Sequence, residues 1–144
     1  MEELFNILKS KKMRITEIDR WGTYLRKQWE SHFVGHLSNK EKNKIFLYDD
    51  RWACGYLWHV FSYKRRECLE GERAEQAFDL EQKGACYIFY QHSDYALLIE
   101  DARLLKASDL ANEEDVFVVD KGFNWTFVNT HERGWLGPYF SRNK

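Results

Sequence analysis

The chain has 144 residues, 22 basic against 23 acidic, a formal net charge of −1 and aromatic side chains at 17% of positions. That length fits one domain, which on folding withdraws roughly two-thirds of its unfolded surface from water. The balanced charge excludes nucleic-acid binding driven by bulk attraction.

Leu4, Phe5, Ile7 and Leu8 predict a short first helix that stops in the run KSKK. The opening MEELFNILKSKK lacks the basic start and continuous apolar region of a secretory leader, and no apolar run approaches the roughly twenty residues of a membrane helix. Alternation in MRITEI predicts a strand. From Trp21 to Leu37, Trp21, Tyr24, Leu25, Gln28, Trp29, His32, Phe33 and His36 recur at three- and four-residue steps, giving a helix with one strongly aromatic face. Ser38 followed by Glu41 is a capping box opening a second short helix toward IFLY.

GYLWHVFSY, rich in aromatic and β-branched residues, predicts a strand that groups His59 with Leu57 and Phe61. YKRR, flanked by acids, predicts a solvated face. GERAEQAFDLEQKG is a short helix pattern with Ala74, Ala77, Phe78 and Leu80 inward. ACYIFYQ, YALLIED, DVFVVD and WTFVNTH follow as strands, ARLLKASDLANEED as a helical turn or loop, and Lys121-Gly122 in DKGFN as a hairpin loop. Gly134, Gly137 and Pro138 turn the chain and deliver Tyr139 and Phe140 as a short edge strand or aromatic plug. With no internal repeat or linker, the expectation is a single α+β domain over 1–144. Its N-terminal helices would cover one face of a largely antiparallel sheet of about five strands.

Chemistry-bearing motifs are sparse. Cys54, Cys68 and Cys86 form neither a CxxC pair nor an even disulfide framework, so reduced thiols and a cytoplasmic location are expected. There is no nucleophile elbow, phosphate loop or deaminase signature. In HFVGH, His32 and His36 share a helix face as in helix-borne metal sites, but the metalloprotease glutamate is replaced by Phe33. His92 reads as a loop residue at a strand end. Glu113, Glu114, Asp115, Asp49 and Asp50 read as solvated acids in turns. His131 and Glu132 end a strand beside a glycine-containing turn, where polar side chains are commonly aimed at ligands.

The stretches WGTYLRKQWESHF, YLWHVFSY, ACYIFYQ, DVFVVDKGFNWTFVNTHE and LGPYF resemble a small domain-of-unknown-function family of bacillus-type Gram-positive bacteria, over most of the chain from Trp21 onward. The likeness lies in aromatic and turn positions. It implies a compact cytosolic domain and brings no activity, cofactor or catalytic residue with it. In size and aromatic style alone the chain is similar to immunity proteins that neutralise bacterial toxins. The expected function is therefore a non-enzymatic protein-binding module with a protein partner and no cofactor, metal, membrane or nucleic acid. The alternative is an enzyme, or a small-ligand or metal-binding protein, with a pocket lined by His59, His131 and Glu132 and joined by His32 or His36. The residues expected at the binding surface are His131, Glu132, His59, Trp135 and Tyr139.

Overall fold

The computed structural model describes residues 1–143, arranged around one antiparallel sheet. Helix α1 (Glu2–Ser10) leads to strand β1 (Ile15–Glu17), then α2 (Gly22–Phe33), α3 (Asn39–Lys44) and α4 (His59–Ser62). Strand β2 (Leu69–Glu70) precedes α5 (Glu72–Leu80), after which come β3 (Cys86–Tyr90), β4 (Ser93–Ile99), a 3₁₀ turn (Ala107–Leu110), β5 (Val116–Asp120), β6 (Trp125–Asn129) and β7 (Tyr139–Arg142).

The strand order is β1-β4-β3-β5-β6-β7-β2. The α+β expectation stands, with seven strands rather than about five because the sheet is extended at its margins by the short β1 and β2. At its centre, β5 and β6 read VFVVD and WTFVN, and the residues of both strands are buried except the partly exposed Asp120. Such near-continuous burial requires cover on both faces. The expected one-sided cover is thus corrected. Leu4 and Leu8 of α1, Phe78 of α5 and Leu110 of the 3₁₀ turn pack against Ile88, Val118 and Phe127 on one face. Leu25, Trp29 and Phe33 of α2, with Trp58 and Phe61, pack against Phe89, Phe117 and Val128 on the other.

The aromatic face of α2 is realised at Leu25, Trp29 and Phe33, spaced one helical turn apart. Trp29 is fully buried, with Phe33, Phe61 and Phe117 ring centroids 5.1, 5.9 and 5.2 Å away. Its indole N–H donates to Thr126 Oγ1 at 2.8 Å, and that hydroxyl donates to the Val118 carbonyl at 2.8 Å, so no polar atom of the pair is orphaned. The helix ends at Phe33, shorter than the pattern to Leu37 implied, and Val34 and Leu37 are buried from the turn beyond it. The capping box forms as expected: Ser38 Oγ accepts the Glu41 amide at 3.2 Å and Glu41 Oε1 accepts the Ser38 amide at 2.9 Å.

Three further expectations are corrected. The segment around Leu57–Phe61 is a turn followed by α4, because Leu57, Trp58, Val60 and Phe61 all enter the same core, whereas a strand would send neighbouring side chains to opposite faces. Leu80 points outward at 85% exposure, while Ala74 and Phe78 carry the buried face of α5. Tyr139 and Phe140 belong to a paired strand rather than an edge, since β7 lies between β6 and β2. Gly137, with φ of +91°, brings the chain into β7 so closely that a Cβ there would stand 3.1 Å from Thr130 and 3.2 Å from the Tyr139 ring.

Candidate functional site

The loop between α3 and α4 organises itself before it presents anything. Asp50 Oδ1 accepts the amides of Trp52 and Ala53, and Asp49 Oδ1 accepts that of Gly55, each at 2.7 Å. Gly55 lies against the Tyr48 backbone where no side chain fits. Leu57 and Trp58 are pinned in turn: the Leu57 amide donates to Gln91 Oε1 at 2.8 Å, and the buried Trp58 donates its indole N–H to Asp115 Oδ1 at 2.9 Å. This leaves the half-buried Tyr56, held between Gly55 and Leu57, at the surface.

Around Tyr56 lies a ring of histidines. The His131, His92 and His59 centroids are 4.9, 5.2 and 5.4 Å from that of Tyr56. From His59 the contacts continue to Tyr63 at 5.4 Å and on to Phe46 at 6.2 Å. Phe46, Tyr63 and His131 are exposed at the surface, and Trp58 and Tyr139 lie beneath as a buried floor, 6.3 Å apart and stacked. Phe46 and Asp115 hold left-handed backbone, φ 55° and 51°, which an aspartate adopts readily but a phenylalanine only when its surroundings impose it.

Asp115 and His131 form the chemically organised part. The His131 amide donates to Asp115 Oδ1 at 3.2 Å, and its Nδ1 lies 3.0 Å from both carboxylate oxygens. A carboxylate can only accept, so Nδ1 carries the hydrogen and Nε2 is the nitrogen left for a partner. His59 repeats the device, its Nδ1 donating to the Phe46 carbonyl at 2.9 Å. Burial first, and then the Asp115, Cys54, Asp49 and Glu132 charges, raise the Tyr56 hydroxyl above its ordinary pKa and keep it a neutral donor. The surface therefore offers imidazole acceptors, a phenol donor and apolar ring faces side by side. Among the described residues no hydroxyl or thiol is hydrogen-bonded to the His131 ring, so the pair has the orientation of a general base without a nucleophile attached.

Of the residues expected at a site, His59 and His131 do come together, through Tyr56 and Trp58. Glu132 sits beside them, partly buried; burial chiefly raises the Tyr139 hydroxyl, and the Glu70, Cys68 and Glu132 charges add to it. Trp135 is 80% exposed in the turn that follows. Tyr139 is 1% exposed and supports the site from below rather than lining it. His32 and His36 separate: His32 stacks on Phe123 at 4.6 Å, whereas His36 lies past the helix end with Nε2 2.6 Å from the Arg65 carbonyl. Among the described residues no group of three or more metal-ligating side chains is assembled.

Sequence reasoning missed Tyr56, His92 and Asp115. Asp115 is buried and bonded, not solvated, and Glu113 likewise, accepting the Tyr90 hydroxyl in the interior. Only the concentration of rings in GYLWHVFSY signalled that this segment packs against something distant. The YKRR run is exposed at Tyr63 and Lys64 as expected, but the expectation is corrected at Arg66, whose guanidinium packs over Phe33 at 5.0 Å and donates to Ser141 Oγ at 2.9 Å. Cys54 is exposed, while Cys68 and Cys86 are withdrawn, their thiols pushed up to about 11 and about 12 mainly by burial.

No helix among the described residues is long and apolar enough to cross a membrane. The chain belongs to the family described as a domain of unknown function, DUF4275, whose pattern matches residues 1–140. No curated protein and no solved structure matches it.

Proposed function

We propose that this DUF4275 chain is a cytoplasmic protein-binding module of bacillus-type Gram-positive bacteria, and that the Tyr56-centred band of rings is its recognition surface. The observation that carries the reading is the unbroken set of ring contacts from Phe46 through Tyr63, His59 and Tyr56 to His131, open to solvent over a rigid aromatic floor. Aromatic anchors held by buried supports lose little conformational freedom on association, which is what interface hot spots require. His131, Glu132, His59 and Trp135 are its contact residues, with Tyr139 as support. Occupation of a toxin-like partner's surface, by analogy with immunity proteins, is the version we favour.

Affinity capture from the native host, followed by titration of the recovered protein, tests this. Tyr56→Ala and His131→Ala each weaken binding about tenfold or more, while Leu104→Ala, at an exposed position 56% accessible beside the other core, leaves it unchanged. Equal affinity for all four proteins contradicts the reading.

A second reading rests on the Asp115–His131 geometry, which leaves Nε2 oriented as a general base for a small ligand entering beside Tyr56. It requires turnover or ligand binding that His131→Ala abolishes and Trp135→Ala spares.

A further inference from the structure

A second surface starts one residue beyond Tyr63. Residues 64–70 and 140–142, together with Arg73, line an open groove of about 1070 Å³ at the β2 margin of the sheet. We propose that this groove is a docking site for an acidic, extended peptide segment of a partner protein.

Charge is the first ground. Lys64, Arg65, Arg66, Arg73 and Arg142 line the groove against only Glu67 and Glu70, in a chain whose net charge is −1. Three of these cations have carboxylate partners: Lys64 with Glu70, Arg65 with Glu41 and Arg142 with Glu81. Arg73 pairs with no carboxylate among the described residues, and neither does Arg66. The Arg66 guanidinium donates to Ser141 Oγ, the Phe33 and Arg142 carbonyls and Asn143 Oδ1, at 2.9, 3.2, 2.9 and 2.6 Å. All four acceptors are neutral, so the hydrogen bonds fix the group without cancelling its charge. A partly desolvated cation held rigid at a groove wall attracts an anion more strongly than a solvated one.

Backbone geometry is the second ground. β2 is the last strand of the sheet and pairs only with β7, so the outer edge of Leu69 and Glu70 is open to another strand. An extended peptide laid there points its side chains alternately to the two faces of the sheet, on the side of Leu69 and on the side of Cys68, along the cationic lining. A nucleic acid is served less well. Phe140, the aromatic residue of the lining, is 2% exposed and offers no face for a base to stack on. The inference does not depend on the aromatic band being an interface.

Fluorescence anisotropy with a labelled alternating glutamate–valine peptide tests it, using a lysine–valine peptide and a single-stranded oligonucleotide of similar length as comparison probes. The acidic peptide is expected to bind at least about tenfold more tightly than either, with affinity falling as salt rises. Arg73→Glu and Lys64→Glu, both at exposed positions, are expected to cost about tenfold in peptide affinity without moving the melting temperature, and Tyr56→Ala is expected to bind as wild type. No binding of the acidic peptide, undiminished binding by both charge-reversed variants, loss on Tyr56→Ala alone, or preference for the oligonucleotide would each overturn the assignment.

Discussion

Trp29 and Tyr56 each stand at the centre of a cluster of rings, and the two clusters do opposite things. Around Trp29 the neighbours are Phe33, Phe61 and Phe117, all fully buried, and its one polar atom is satisfied by Thr126. Around Tyr56 the neighbours are the buried Trp58 and three histidines, whose rings bring hydrogen-bonding nitrogens to an open surface. An aromatic share of 17% therefore says nothing by itself about recognition. What separates core from candidate interface is whether polar ring atoms are consumed inside the protein or left facing outward.

The largest test of that contrast is Trp29→Ala. It removes the centre of the buried cluster and the indole donor that Thr126 Oγ1 accepts from, and should cost about 3–5 kcal/mol in urea unfolding; a loss under about 1 kcal/mol would show the cluster to be less central than its burial implies. Asp115→Ala comes next. It leaves the Trp58 indole N–H and the His131 amide without their acceptor, a loss of about 1–3 kcal/mol. Asp115→Asn keeps an acceptor and tolerates left-handed backbone, so it should recover most of the loss. Tyr63→Ala, at an exposed position of the band, should change stability by no more than about 0.5 kcal/mol while reducing partner capture. The smallest effect belongs to the thiols. At pH 8, alkylation should reach the exposed Cys54 and leave the melting temperature unchanged, while Cys68 and Cys86, pushed up to about 11 and about 12, stay protonated and react only on unfolding. Rapid modification of all three in the folded protein would refute the burial assigned to them.

Local patterns were readable because their causes are local. The runs ACYIFYQ and DVFVVD, the Ser38–Glu41 box and the spacing of Leu25, Trp29 and Phe33 depend on neighbours within a few residues, and each appears as the sequence implies. The site was hidden for the opposite reason. Trp58 finds its acceptor 57 positions away at Asp115, and His131 finds the same carboxylate from 16 positions away. Nothing near Asp115 in the chain distinguishes it from a solvated turn acid. The strand expected at His59 failed because packing of both Leu57 and Trp58 into the same core overrode the β propensity of the segment. His131 and His59 could be singled out by residue type, but Tyr56, which joins them, could not.

The central claim is that the open cluster, and not another face, meets a protein partner. Hydrogen–deuterium exchange on the complex with the captured partner tests it most directly. Protection gained in segments 46–63 and 130–136, with α1 and α5 unchanged, is the result this account predicts. Protection confined to α1, α5 or the 3₁₀ turn, with Tyr56 and His131 exchanging as in the free protein, would contradict it.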